Sequence, residues 1–250
     1  MRRIKFEVSY DGTMYCGWQT QLDVPTIQNS LETVISKIAG EQISVIGSGR
    51  TDAGVHAIRQ VASFKTESEL NVTIIQRALN GLLPPDIRVL KVEETALDFH
   101  PIRDAISKRY RYLIDDNQPS FPMTRGYCWI CKDRLDIEVM KIAGKFLLGE
   151  HDFSSFQTTG SPKKTTVRTI LDVKIERLEP TILSPPFICI EVEATGFLYN
   201  MMRSIVGTLA MLTKSNCPES MREIINSRSR AAAGATAPPQ GLYLLNVKYK

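Results

Sequence analysis

The chain has 250 residues, 43% of them hydrophobic and 23% charged, which suits one large domain or two intimate ones around a sizeable core. Its net charge of +4, from 31 basic and 27 acidic residues, is too mild to select a partner alone. Five scattered cysteines argue against a disulfide framework, and no apolar run approaches the roughly 18 residues of a membrane span. Met1-Arg2-Arg3-Ile4-Lys5 has basic residues without the apolar core of a signal peptide, so the expected setting is the reducing cytoplasm.

Ile4 to Tyr10 alternates apolar and polar residues, the period of a half-buried strand, and Asp11-Gly12 then makes a turn. Thr26 to Ala39 carries Ile27, Leu31, Val34, Ile35 and Ile38 at helical spacing, with Gly40 as the stop. Strands are expected at 42–46 and 57–65, a helix at 71–82 and a strand at 86–93. The second half repeats that order. Lys108 to Asp115 alternates, Leu135 to Leu148 is helical and ends at Gly149, and strands follow at 167–178 and 186–195. A helix at 199–213 and a strand at 242–249 complete the pattern, interrupted over Ser215–Gln240 by a short helix at 218–227 and a loop rich in Ala, Pro and Gly.

This β-α-β-β-α-β order, written twice, predicts an α+β fold of two ferredoxin-like halves, residues 1–105 and 106–250, sharing a mostly antiparallel sheet. Such a sheet leaves a central cleft where its halves meet. The loop around Asp52, the strand of Tyr110 and the helix at 199–213 are the elements expected to reach it.

The run Gly47-Ser48-Gly49-Arg50-Thr51-Asp52-Ala53-Gly54-Val55-His56-Ala57 places one carboxylate in a glycine-flanked turn, two residues after a fork-shaped cation. A lone Arg-Thr-Asp would be an ordinary turn with an incidental aspartate. His56 suits a half-buried strand entrance as well as a direct role. Tyr110 and Tyr112 share one strand face, with Arg109 and Arg111 opposite. Such tyrosines usually pack a core, but with Lys108 beside them they also suit a strip that meets a polyanion and stacks its bases. Further basic clusters are Lys163, Lys164 and Arg168, and Arg222, Arg228 and Arg230. Arg203 lies in an apolar run beside Met202, Ile205 and Val206, where a cation needs an anionic partner or must snorkel.

The eleven-residue run resembles the catalytic loop of the tRNA pseudouridine synthases, and in full form the synthase A family, which modifies the anticodon stem-loop. Tyr10-Asp11-Gly12 with Tyr15, Gly17, Trp18 and Gln19 match the same family. So do Asp98-Phe99-His100, Leu148-Gly149-Glu150-His151-Asp152-Phe153, Gly196 to Gly207, and Gly241-Leu242-Tyr243-Leu244. The resemblance spans residues 3–249, although the segment 154–166 has no strong match. It implies a pseudouridine synthase fold and isomerisation of uridine at tRNA nucleotides 38, 39 and 40 with no cofactor or metal. It implies Asp52 as the catalytic carboxylate, Tyr110 in contact with the target base, and Arg203 paired with Asp52. Arg50 would help displace the uridine or grip a phosphate. The partner implied is tRNA, with the enzyme a homodimer and no membrane involved.

Two rivals come from other classes. A pair of ferredoxin-like halves could bind RNA without reacting, but a pure binder has no need of a carboxylate beside phosphate. A retaining glycosidase or nucleoside hydrolase needs a second placed carboxylate or a metal, for which no motif is evident. Cys128-Trp129-Ile130-Cys131 has metal-binding spacing, yet it reads as a strand whose two thiols point to opposite faces.

Overall fold

The computed structural model describes residues 1–158, 165–181 and 185–250; Lys163, Lys164 and part of the 154–166 segment lie outside them. The alternation from Ile4 to Tyr10 becomes β1 (Arg2–Tyr10), with Ile4, Phe6, Val8 and Tyr10 buried on its inner face. Helix α1 (Ile27–Ala39) starts where the Thr26 hydroxyl accepts from the Asn29 N–H and stops at Gly40 in the left-handed region.

The strand expected at 42–46 shrinks to β2 (Ile46–Gly47). Side chains of α1 have taken the backbone groups a longer strand would need. The Ile43 N–H donates to Ser36 and the Val45 N–H to Glu32, while Gln28 donates to the Val45 carbonyl. Then come β3 (His56–Thr66), α2 (Val72–Leu82) and β4 (Ile87–Thr95). The sheet order is β4-β1-β3 with β2 on β3, each pair antiparallel, as a split β-α-β unit requires. The free side of β4 is capped by α2. Asn80 accepts from the Val89 N–H and donates to its carbonyl, and Gln76 donates to the Leu90 carbonyl, which blunts an edge open to mispairing.

The second pattern begins with β5 (Ala105–Asp115), followed by β6 (Trp129–Ile130), α3 (Ile137–Lys145), β7 (Gly149–Asp152), β8 (Val167–Arg177) and β9 (Ile188–Ala194). Then come α4 (Met201–Ser215), α5 (Ser220–Ser227) and β10 (Leu242–Tyr249). The helix predicted over Leu135–Leu148 is shorter at both ends; its start is set by Asp136, which caps it by accepting from the N–H groups of Glu138 and Val139. Strands β5, β9, β8 and β7 lie in that order, all antiparallel, and the first three repeat the order β1, β3, β2.

Contacts divide the chain into two units, Met1–Ile106 with Tyr243–Lys250, and Ser107–Leu242. The final strand joins the first unit, pairing Tyr243 and Leu244 in parallel with His56 and Ala57 of β3. The fold class is α+β, with mostly antiparallel strand pairing within each unit. Among the described residues, no helix is long and apolar enough to cross a membrane.

Candidate functional site

The Asp52 loop enters from β2 and leaves into β3, and each end is tied. The Ser48 N–H donates to the Val61 carbonyl at 2.8 Å, Ser48 Oγ to Gln60 Oε1 at 2.5 Å, and Gln60 Nε2 to the Gly49 carbonyl at 2.8 Å. The buried Thr51 hydroxyl lies 2.8 Å from that of Tyr10, whose phenol burial pushes well above its ordinary pKa and so keeps it protonated. Past the carboxylate, the Val55 N–H donates to the Asp52 carbonyl at 3.1 Å and closes the turn. The Asp52 residue itself is half-buried and Arg50 is exposed. These two candidates share one loop, and Arg50 Nε donates to Gln19 at 2.9 Å.

A second segment of the same unit, residues 10–19, forms the mould for this loop. The Trp18 N–H donates to the Thr51 carbonyl and the Gly54 N–H to the Tyr15 carbonyl. Backbone meets backbone so closely that side chains are excluded. A Cβ on Gly12 would lie 2.0 Å from the Val55 carbonyl oxygen, and one on Gly17, at φ +92°, would lie 2.7 Å from that of Thr51. His56 belongs to this clamp. Its Nδ1 accepts from the Gly12 N–H at 3.1 Å with Asp11 Oδ1 also at 3.1 Å, and its ring stacks on Tyr243. The buried imidazole therefore holds the turn at Asp11-Gly12 against the start of β3, the strand-entrance role weighed above.

Tyr110 and Arg203 belong to the second unit. Tyr110 and Tyr112 are both buried on one face of β5, as alternation predicts, but their surroundings differ. The Tyr112 hydroxyl donates to the Pro238 carbonyl at 2.6 Å, and its ring meets Trp129 edge-on. That is a core role. Tyr110 meets the ring of Phe197 edge-on, with centroids 4.8 Å apart.

The arginines that alternate with these tyrosines, Arg109 and Arg111, do not form the polyanion strip that the sequence suggested. Register sets Arg109 opposite Glu193 and Arg111 opposite Glu191 on β9. Arg109 bonds Glu193, Glu191 and Asp172, and Arg111 bonds Glu191. Burial works against the charge on Arg109, but the carboxylates outweigh it and raise its pKa. Both charges are consumed within the sheet.

Arg203 projects from the first turn of α4, among buried Met202, Ile205 and Val206. Its Nε donates to the Ala237 carbonyl at 2.7 Å and one terminal nitrogen to Asn200 Oδ1 at 2.8 Å. Asn200 sits at φ +59°, where asparagine is the commonest residue after glycine, and donates in turn to Thr158. Asn200 and Gln19 are supports that pattern reasoning did not single out. The signal for Asn200 was its place immediately before a helical run, and for Gln19 there was only its motif.

Among the described residues, no group of three or more His, Cys, Asp or Glu could hold a metal ion. The Cys128 and Cys131 thiols are buried, and burial pushes both up from their ordinary pKa, which disfavours the thiolate a metal would need.

The family model for tRNA pseudouridine synthase matches residues 7–102 and 143–250. Among curated relatives, the tRNA pseudouridine synthase A of Thermoanaerobacter sp. (strain X514) is 45% identical over 250 residues, covering 100% of both chains. That of Geotalea daltonii is 41% identical, again over 100% of both. Among solved structures, a chain of a Cbf5-Nop10-Gar1 complex gives a TM-score of 0.44 at 12% identity. That match covers 97% of this chain and 49% of the other, so this chain spans about half its length.

Proposed function

The chain belongs to the tRNA pseudouridine synthase family, an isomerase family, and from that premise we propose that it isomerises uridine in the anticodon stem-loop of tRNA, at nucleotides 38, 39 and 40, with Asp52 as the single catalytic carboxylate. The reaction breaks the bond from ribose C1′ to uracil N1, turns the freed base, and joins C1′ to uracil C5. N1 gains a proton and C5 loses one, so the product is an isomer and neither oxidant nor cosubstrate is consumed. One carboxylate suffices, as nucleophile at sugar or base, or as base on the sugar.

The observation that carries this reading is the fixing of the Asp52 loop. The Thr51 carbonyl, the Thr51 hydroxyl, the Gly49 carbonyl and the Gly54 N–H are all bonded to residues outside the loop. A nucleophile or base held in this way loses little orientation entropy on reaction. Tyr110 contacts the target base, Arg203 is the counter-ion of Asp52, and Arg50 helps extrude the uridine or grips a neighbouring phosphate. The enzyme works in the cytoplasm as a homodimer, one subunit gripping the tRNA body while its partner works on the loop.

Incubating the protein with unmodified tRNA and analysing the nucleosides tests this. Pseudouridine at 38–40 supports the reading. Free uracil would mean hydrolysis, and unchanged tRNA with a mobility shift would mean binding without reaction.

A further inference from the structure

The arginines on the sheet of the second unit fall into two kinds. Arg109, Arg111 and Arg177 each meet a carboxylate, Arg177 pairing with Asp116 at 2.7 Å. Arg168, the second residue of β8, does not. Its guanidinium donates to the backbone carbonyls of Thr165 at 3.1 Å and Val167 at 2.5 Å, and among the described residues no carboxylate is within ion-pair reach. Of the two acids on β7, Glu150 sits opposite Thr169 and Asp152 opposite Val167, neither opposite Arg168, and Asp152 is bonded to the Ser154 N–H and paired with Arg228. Opposite Arg168 itself is His151, whose Nε2 lies 2.9 Å from the Leu148 carbonyl.

Arg168 is half-buried, and that burial, with no anion against it, lowers its pKa from the usual guanidinium value. A cation drawn partly out of water without a counter-ion is electrostatically incomplete. Its stem lies on the backbone of Gly196, where a Cβ would come within 3.4 Å of Nε and 3.5 Å of Cδ. Gly196 opens the stretch that carries Phe197 against Tyr110 and Asn200 against Arg203. An anion that completes Arg168 therefore lies beside the segment that orients both of those side chains.

We propose that Arg168 binds a backbone phosphate of the RNA substrate next to the target nucleotide, completing its guanidinium with a phosphodiester oxygen. This rests on the reading of the chain as a tRNA pseudouridine synthase. A planar fork with free N–H donors matches phosphate geometry, and among the described residues no carboxylate pairs with Arg168.

The test is the salt dependence of unmodified tRNA binding to the full chain, for wild type, Arg168→Gln and Arg168→Lys. One lost phosphate contact should lower the slope of log Kd against log salt by about 0.7–0.9 for the Gln variant, while Lys keeps it. The loss should fall on Kd and KM rather than on kcat. An unchanged slope and affinity with a lower melting temperature would make Arg168 a structural anchor of β8 and overturn the proposal. A fall in kcat at unchanged Kd would overturn it too. The slope reports phosphate contacts, whose number isomerisation does not change, so it is independent of the isomerase reading. A changed slope with no pseudouridine from wild type would sink that reading alone, and an unchanged slope with normal pseudouridine would sink this one alone.

Discussion

Gly17 lies directly against the carbonyl oxygen of Thr51, so close that a Cβ at position 17 would stand 2.7 Å from it. The neighbouring Trp18 N–H donates to that same carbonyl. The residue before the proposed catalytic carboxylate is thus held through its backbone carbonyl as well as through its hydroxyl on Tyr10, and the close backbone approach depends on a glycine at φ +92°.

Gly17→Ala should therefore push the Thr51–Asp52 backbone outward. Strain at a positive φ costs about 1–3 kcal/mol, and a displacement near 1 Å at the chemistry costs roughly 10²-fold in rate. Thermal melting and single-turnover kinetics on one preparation read both effects. Normal turnover would show that the loop tolerates the shift.

The two tyrosines of β5 should separate cleanly. Tyr112→Phe loses the bond to the Pro238 carbonyl, about 1 kcal/mol of stability, with a small effect on rate. Tyr110→Phe keeps the ring against Phe197 and near-normal tRNA binding while losing the hydroxyl, and a large fall in kcat is expected. A greater rate loss at 112 than at 110 would assign the catalytic contact to the other ring.

Arg203→Met removes the donor to the Ala237 carbonyl and to Asn200, so stability should fall by about 1–3 kcal/mol. Activity should fall much further. A carboxylate deprived of its cation takes up a proton more readily, so the acid limb of the pH profile should move upward and activity should recover as pH rises. Rate and melting temperature falling together, with no move of the acid limb, would deny the pairing with Asp52.

Asp116 gives a pH test of the fold itself. Burial pulls its carboxyl toward the neutral form, but Arg177, the Leu135 N–H and Arg134 outweigh burial and hold it below the usual carboxylate range. A depressed folded-state pKa contributes stability above the unfolded value, near 3.9, that is lost as pH falls through the folded one. Asp116→Asn should cost about 3 kcal/mol at neutral pH, and the gap to wild type should narrow below pH about 4. Denaturant melts at neutral and acid pH check this, and a constant gap would count against it.

What the sequence revealed was mainly local. Thr26 and Gly40 mark α1 because capping chemistry needs no partner distant in the chain. The strand expected at 42–46 failed because its N–H groups went to Ser36 and Glu32, side chains whose reach no periodicity reports. Arg109 and Arg111 misled for the same reason, since the carboxylates that neutralise them lie on β8 and β9 and are set by register. The pairing of β10 with β3 was equally hidden, being a contact between the end of the chain and its first quarter. At the candidate site, Asp52 and Arg50 stood out through glycine spacing. The supports Asn200 and Gln19 act through hydrogen bonds, which leave no periodic trace.

The most direct test of the account is pseudouridine formation by Asp52→Asn on unmodified tRNA, measured beside wild type with tRNA affinity and melting temperature. The exchange is nearly isosteric and removes the charge and most of the nucleophilicity. Pseudouridine should form with wild type and be lost with the variant, while affinity and melting temperature stay close to wild type. Turnover by Asp52→Asn within about tenfold of wild type, some 1.4 kcal/mol in barrier, would contradict the assignment of Asp52.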